Sequence, residues 1–264
     1  MKRLSVILFA AGVLISSARA ITAIHSEAPA AGSRTDGPAA STSSLTNVPA
    51  ARWENTISFG LTLTRGNSDT LLTAAGFKAH RLNLTNEVLL TLDGTYGRSG
   101  SIKNNESLRG IGQYNHLFTD RVYGYARGEG FHDDVSDLAY RFTLSPGIGY
   151  YFIKRKGLTF AGEAGPGGVF ERLDGTTKNY AAGRVAERFE YKWAAHARVW
   201  QTFEFLPQFD QGRNYLINAE LGVETALTRH MSLKTVVQDN FINLPAPGRK
   251  QNDLKLISGI IYRF

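Results

Sequence analysis

The last eleven residues, Leu254-Lys255-Leu256-Ile257-Ser258-Gly259-Ile260-Ile261-Tyr262-Arg263-Phe264, decide the fold. Leu254, Leu256, Ser258, Ile260, Tyr262 and Phe264 share one parity, while Lys255, Gly259 and Arg263 fall on the other. A period of two belongs to a β-strand, with one apolar face and one mixed face. The same alternation recurs upstream. Ile57, Phe59, Leu61 and Leu63 oppose Thr56, Ser58, Gly60 and Thr62; Leu138, Tyr140, Phe142 and Leu144 oppose Arg141 and Thr143; Ile217, Ala219, Leu221 and Val223 oppose Asn218, Glu220 and Glu224. No window carries a comparable helical stripe.

Clusters of Gly, Asn, Asp and Pro punctuate the chain into twelve expected strands. These are 54–65, 69–82, 86–98, 107–118, 121–132, 137–152, 158–172, 180–193, 197–206, 215–227, 231–240 and 253–264. They exceed the strand of about 5 or 6 residues usual in soluble sheets, and suit a tilted bilayer crossing of about 9 to 11 residues plus overhang. An even-stranded membrane barrel alternates short turns at one end with longer loops at the other. Connections at Asn83–Thr85, Thr119–Asp120, Lys154–Gly157, Ala194–His196 and Thr228–His230 are short, whereas those at Gly100–Glu106, Asp133–Ser136, Leu173–Asn179, Pro207–Asn214 and Phe241–Asn252 are mostly longer. The tight Arg65-Gly66-Asn67-Ser68 turn breaks the pattern. Phe118, Tyr123, Tyr150, Tyr151, Phe152, Phe189, Tyr191, Trp193, Tyr262 and Phe264 gather near the short turns and read as an aromatic girdle at the headgroup level.

The N-terminus reads differently. Lys2 and Arg3, the apolar run Leu4–Ile15 and the Ala18-Arg19-Ala20 tripeptide form a secretory signal over residues 1–20, with the mature chain expected to start at Ile21. Its removal lowers the formal charge from +7 to +4 by taking Lys2, Arg3 and Arg19, which weakens any nucleic-acid reading. Residues 21–52 read as a disordered periplasmic linker; between 21 and 51, 22 of 31 residues are Ala, Gly, Pro, Ser or Thr, too little apolar surface to offset chain entropy. The 264 residues include no cysteine, which excludes disulfides, thiolate metal sites, a cysteine nucleophile and an acylated lipoprotein anchor. A single long apolar run also excludes a bundle of membrane helices, though not a barrel.

Several blocks carry a family resemblance: Gly66-Asn67-Ser68-Asp69-Thr70, Ser145-Pro146-Gly147-Ile148-Gly149-Tyr150, Glu163-Ala164-Gly165-Pro166-Gly167, Trp200-Gln201 with Glu204-Phe205-Leu206-Pro207, Asn218-Ala219-Glu220-Leu221-Gly222, and Tyr262-Arg263-Phe264. Over about Trp53 to Phe264 the chain resembles the salt-induced outer-membrane protein family catalogued as domain of unknown function 481. The resemblance implies an outer-membrane β-barrel with no agreed activity and no catalytic residues to carry over. Its name also implies a link to osmotic or salt stress. The closing Phe264 resembles the terminal aromatic signal of outer-membrane barrels, which implies the barrel-assembly machinery as a partner of the last strand.

The parity opposite the apolar face sends charge inward. The candidate lumen charges are Lys78, Arg127, Arg141, Arg184, Arg188, Lys234, Lys255 and Arg263, with Asp93, Glu129, Glu163, Glu171, Glu190, Glu204, Glu220 and Glu224. Facing lipid, such groups would cost several kcal/mol near the midplane. Eight of each sign suggest an ion-paired interior more than a charge-selective pore. Glu187 conflicts with this scheme, since alternation from Val185 to Phe189 turns it toward lipid; a bulge or a position near one rim would remove the conflict. A bulge or bend is expected at Gly165-Pro166-Gly167-Gly168 and at Pro146.

Two constellations raise chemistry. His230-Met231-Ser232 would put His and Ser on one strand face, as in lipid A deacylases, but it lies at an inner turn without an evident acidic partner. His132, Asp133, Asp134 and Asp137 on an outer loop offer oxygen ligands to a divalent cation, without calcium-loop spacing. Lys103, Lys178, Arg213, Arg249 and Lys250 could meet lipopolysaccharide phosphates. The reading is a signal peptide, a linker and a twelve-stranded transmembrane antiparallel β-barrel over residues 53–264 in the outer membrane of a Gram-negative-type envelope. Its expected surroundings are outer-membrane lipid and lipopolysaccharide, with no nucleic acid, no cofactor, no metal and no enzymatic activity. A passive channel for small polar solutes is the alternative, and a lipid-modifying enzyme the least favoured.

Overall fold

Twelve antiparallel strands account for nearly all of the described residues, 52–64, 70–194 and 196–264, of this computed structural model. They are β1 (Trp53–Thr64), β2 (Thr70–Leu82), β3 (Asn86–Ser99), β4 (Ile102–Leu117), β5 (Val122–Asp133), β6 (Leu138–Arg155), β7 (Leu158–Leu173), β8 (Thr176–Ala194), β9 (Ala197–Pro207), β10 (Tyr215–Ala226), β11 (Met231–Ile242) and β12 (Asn252–Arg263). The expected signal peptide, nearly all of the expected linker and the Arg65–Ser68 turn lie outside the described residues. Each strand pairs with its sequence neighbours, and β1 pairs with β12 to close the barrel. At that seam Ile57, Phe59 and Gly60 oppose Tyr262, Ile260 and Gly259, and Asn55 and Phe264 exchange backbone hydrogen bonds at 3.3 and 3.0 Å.

Alternation decides what each side of the wall carries. Phe59 and Ile148 are each 65% exposed, and Leu61, Leu92, Leu144, Leu221, Leu254, Leu256 and Ile260 are exposed beside them. Glu171, Arg184, Glu204, Glu224, Arg141 and Lys255 are buried. A soluble protein buries the first set and exposes the second; the reversed arrangement is that of a barrel immersed in hydrocarbon.

Two expected loops shrink to hairpin turns. β4 begins at Ile102 and β8 at Thr176, so Gly100-Ser101 and Asp174-Gly175 alone join their strand pairs. Asp174 and Gly175 have φ of 49° and 68°, the paired left-handed conformation of a type I′ turn, for which Asp-Gly is the favoured dipeptide. The residues read as loop instead extend the ladder, so among the described connections the long outer loops are those of β9–β10 and β11–β12.

Of the bulge or bend expected at Gly165–Gly168 and Pro146, no bulge forms. Register between β6 and β7 is the same on both sides of the site, from Leu144↔Gly168 to Ile148↔Ala164, while the ladder pairs between them are missing. Two prolines without N–H donors interrupt the ladder without shifting it. A Cβ on Gly165 would lie 2.1 Å from the Pro146 carbonyl oxygen, so glycine is needed for the backbones to approach.

Candidate functional site

The lumen is crossed by charged side chains that the inward parity of non-adjacent strands brings together. Glu204 on β9 accepts from Arg184 Nε on β8 at 2.5 Å, and pairs with Arg127 on β5 at 3.4 Å and Arg109 on β4 at 3.9 Å. Glu129 joins Arg109 and Arg127 at 2.8 and 2.7 Å. Arg184 also reaches Glu163 on β7 at 2.8 Å, which accepts from Gln113 on β4 and from the Tyr123 hydroxyl on β5, both at 2.9 Å. Gln113 and Asn115 carry the network on to Glu87 of β3, where Arg188 of β8 lies 3.9 Å away and His80 2.9 Å away. β4 and β9, and likewise β3 and β8, are five places apart in the ring. These contacts therefore span the interior rather than stitch neighbours.

Other inward charges sit nearer the wall. Arg141 donates to Glu171 at 2.7 Å. Glu224 binds Arg198 at 2.6 Å and Arg263 at 2.7 Å, and Arg198 also approaches Glu190 at 3.5 Å. Glu220 accepts from Trp200 Nε1 and Gln238. Lys255 reaches across to Ser107 of β4 at 3.3 Å, and Lys234 to Ser58 at 3.2 Å. Lys78 and Asp93 lie on the inward parity of β2 and β3, where Asp93 Oδ1 and Ser58 Oγ crowd the space over Gly76. Among the described residues neither has an oppositely charged partner within 4.0 Å, and Lys78 is exposed to solvent inside the barrel. The ion pairs that cross the lumen thus gather among β3, β4, β5, β8 and β9.

Two of the expected girdle aromatics turn inward. Tyr123, 1% exposed, and Tyr151 pack with Tyr125 and Ala161 in an interior cluster, because each shares the inward parity of its strand. Phe118, Tyr150, Phe152, Tyr191, Trp193, Tyr262 and Phe264 remain exposed on the outside. Arg109, Gln113, Asn115, Glu87 and Arg198 belong to the network but not to the set expected from sequence. The alternation of Ser107, Arg109, Gln113 and Asn115 against Leu108, Gly110, Gly112 and Tyr114 carried that signal.

At the outer end the connection 243–251 crosses the mouth. Its Ala246 is buried against Leu138 and Leu173, the outer ends of β6 and β7, with Phe131 of β5 alongside. Arg249 Nε donates to Asp137 at 2.7 Å in the β5–β6 connection. Between the strap and the arginine network lies only a water-sized pocket of about 30 Å³, lined by Arg109, Arg127, Glu129, Glu204, Phe131 and Phe241.

The expected constellations come apart. Asp134 is taken by Lys103, Asp137 by Arg249, Asp133 accepts from the Ser136 N–H, and His132 Nδ1 bonds the Ala139 carbonyl. Among the described residues no group of His, Cys, Asp or Glu has the geometry to hold a metal ion. His230 stacks on the outward Tyr262 at 6.2 Å, whereas Ser232 is buried inside, so the two do not share a face. The Arg249 guanidinium holds the Asp137 carboxyl below the usual carboxylate range. A depressed carboxyl keeps its ion pair above the unfolded value of about 4 and loses it as pH falls through the lower folded value. The protection of amides in 243–251, taken relative to the intrinsic exchange rate at each pH, is therefore expected to fall below about pH 4, and Asp137→Asn to show the lower protection already at pH 7.

The polarity and the crossed interior define a transmembrane β-barrel with a charged, largely bridged lumen. Residues 57–264 match the family described as Protein of unknown function, DUF481, and the chain belongs to that family. Among solved structures it is similar to the KdgM porin (12% identity, TM-score 0.44, covering 79% of this chain and 99% of that one). It is also similar to the NanC porin (8%, TM-score 0.48, 80% and 98%) and to an outer membrane channel from Pseudomonas putida F1 (6%, TM-score 0.48, 82% and 97%). No curated protein matches the chain.

Proposed function

We propose that this protein is a non-enzymatic outer-membrane barrel whose resting interior does not pass solutes freely. The observation that carries this reading is Glu204, held at once by Arg184, Arg127 and Arg109 from three other strands. Charge pairs between facing walls occupy the space a diffusion pore would leave open, and the 243–251 strap covers one end. The outward aromatics fit the headgroup boundary, with outer-membrane lipid and lipopolysaccharide as surroundings. The terminal Phe264 suits recognition by the barrel-assembly machinery, and a role in envelope integrity under osmotic or salt stress rests on the family resemblance.

Planar-bilayer recording of the refolded barrel tests the closed interior. Wild-type protein is expected to give no reproducible single-channel steps at neutral pH, and regular steps of uniform size would overturn the proposal in favour of a passive channel.

A further inference from the structure

Glu187 is, among the described residues, the one ionisable group on the outward parity that lies well away from both ends of its strand. Neither escape expected from sequence operates. Register runs unshifted from Val185↔Phe205 to Phe189↔Gln201, so no bulge turns Glu187 inward, and the outward Tyr191 of the inner girdle lies four residues, about 13 Å of strand, beyond it. Its neighbours on the outer face include Val185, Phe189 and Phe203, with Gly162 across on β7.

A carboxylate there is costly in hydrocarbon, and the wall supplies one neighbour for it. Gln201 Nε2 of β9 donates to Glu187 Oε1 at 2.9 Å. This contact leaves the second carboxylate oxygen, the Gln201 carbonyl oxygen and the other Gln201 amide hydrogen still to be satisfied. The remainder is self-complementary: one acceptor set and one donor, on a patch that faces outward. A two-fold axis normal to the membrane would set the free Gln201 N–H of each copy against the free Glu187 oxygen of the other, closing a four-membered ring of hydrogen bonds.

We infer that the β8–β9 face is an interface between two copies of this chain, centred on Glu187 and Gln201. The occupant is a second copy because its surface carries the matching donor and acceptor in the same arrangement. This inference shares with the proposed function only the reading of the exterior as lipid-facing.

The test uses the full-length protein in proteoliposomes. Since the chain has no cysteine, His196→Cys at an inner turn gives a single labelling site for donor and acceptor dyes. Energy transfer above that of randomly diluted barrels is expected in this background and should persist in Glu187→Gln, whose new amide N–H can donate to the free Gln201 carbonyl oxygen of the second copy. Glu187→Leu combined with Gln201→Leu is expected to weaken association roughly tenfold or more, while urea unfolding of the barrel is unchanged or shifted to higher urea. Random-dilution transfer in the wild-type background, or association undiminished in the double leucine variant, would overturn the inference. Capture of a different envelope protein by a barrel that is monomeric in vesicles would also overturn it. Failure to insert into vesicles at all would instead strike at the membrane reading itself.

Discussion

Glu204→Ala is expected to destabilise the barrel by about 3–5 kcal/mol in urea titrations followed by the mobility of folded and unfolded protein, the cost typical of leaving buried charge without its partner. Glu204 and Arg184 have side chains only 10% and 5% exposed, and the substitution takes one carboxylate from Arg184, Arg127 and Arg109 at once, leaving Glu163 to the first and Glu129 to be shared by the other two. Glu204→Gln keeps an acceptor for Arg184 and should lose less. Replacing Arg184 and Glu204 jointly by leucine should cost less than the sum of the two single changes, because neither charge is then left behind. A loss under about 1 kcal/mol for Glu204→Ala would mean that Glu129, Glu163 and water, not Glu204, neutralise the arginines.

Gly259→Ala should prevent the seam from closing. A Cβ at this position would lie 2.1 Å from the Phe59 carbonyl oxygen and 2.7 Å from Gly60 Cα, and both are backbone atoms of β1 that cannot swing aside. The expected penalty is about 3 kcal/mol or more, at the upper end for overpacking, with loss of the compact, heat-modifiable species on gels. Gly128→Ala is the matched control: on the outer face of β5 its nearest neighbour would be Leu144 Cδ2 at 3.6 Å, an ordinary contact. That change should stay within about 0.5 kcal/mol of wild type. Equal effects at the two positions would show that glycine content, not the close approach at the seam, sets the response.

Strand number and facing were legible because a period of two survives wherever lipid demands apolar side chains, as at Leu254–Phe264. Arg127, Arg184 and Glu204 could be assigned inward from parity alone. Their convergence on one point could not, since it depends on which strands lie across the lumen and hence on barrel closure. Tyr151 was misplaced because it sits between Tyr150 and Phe152, so proximity to the turn outweighed its parity. Gly100 and Asp174-Gly175 were read as parts of longer loops because polar residues that extend a strand beyond the membrane look the same as loop residues. The anchoring of Ala246 was invisible for a simpler reason: a lone alanine between two prolines carries no pattern.

Eleven of the twelve strand pairings join neighbours in sequence, and only β1 with β12 does not. Assembly can therefore proceed as successive local hairpins, each with a small loop-closure entropy, leaving one long-range step. That last step waits on the arrival of the C-terminus, so a chain truncated before β12 would hold two unsatisfied edges and behave as an aggregation-prone ribbon rather than a smaller barrel.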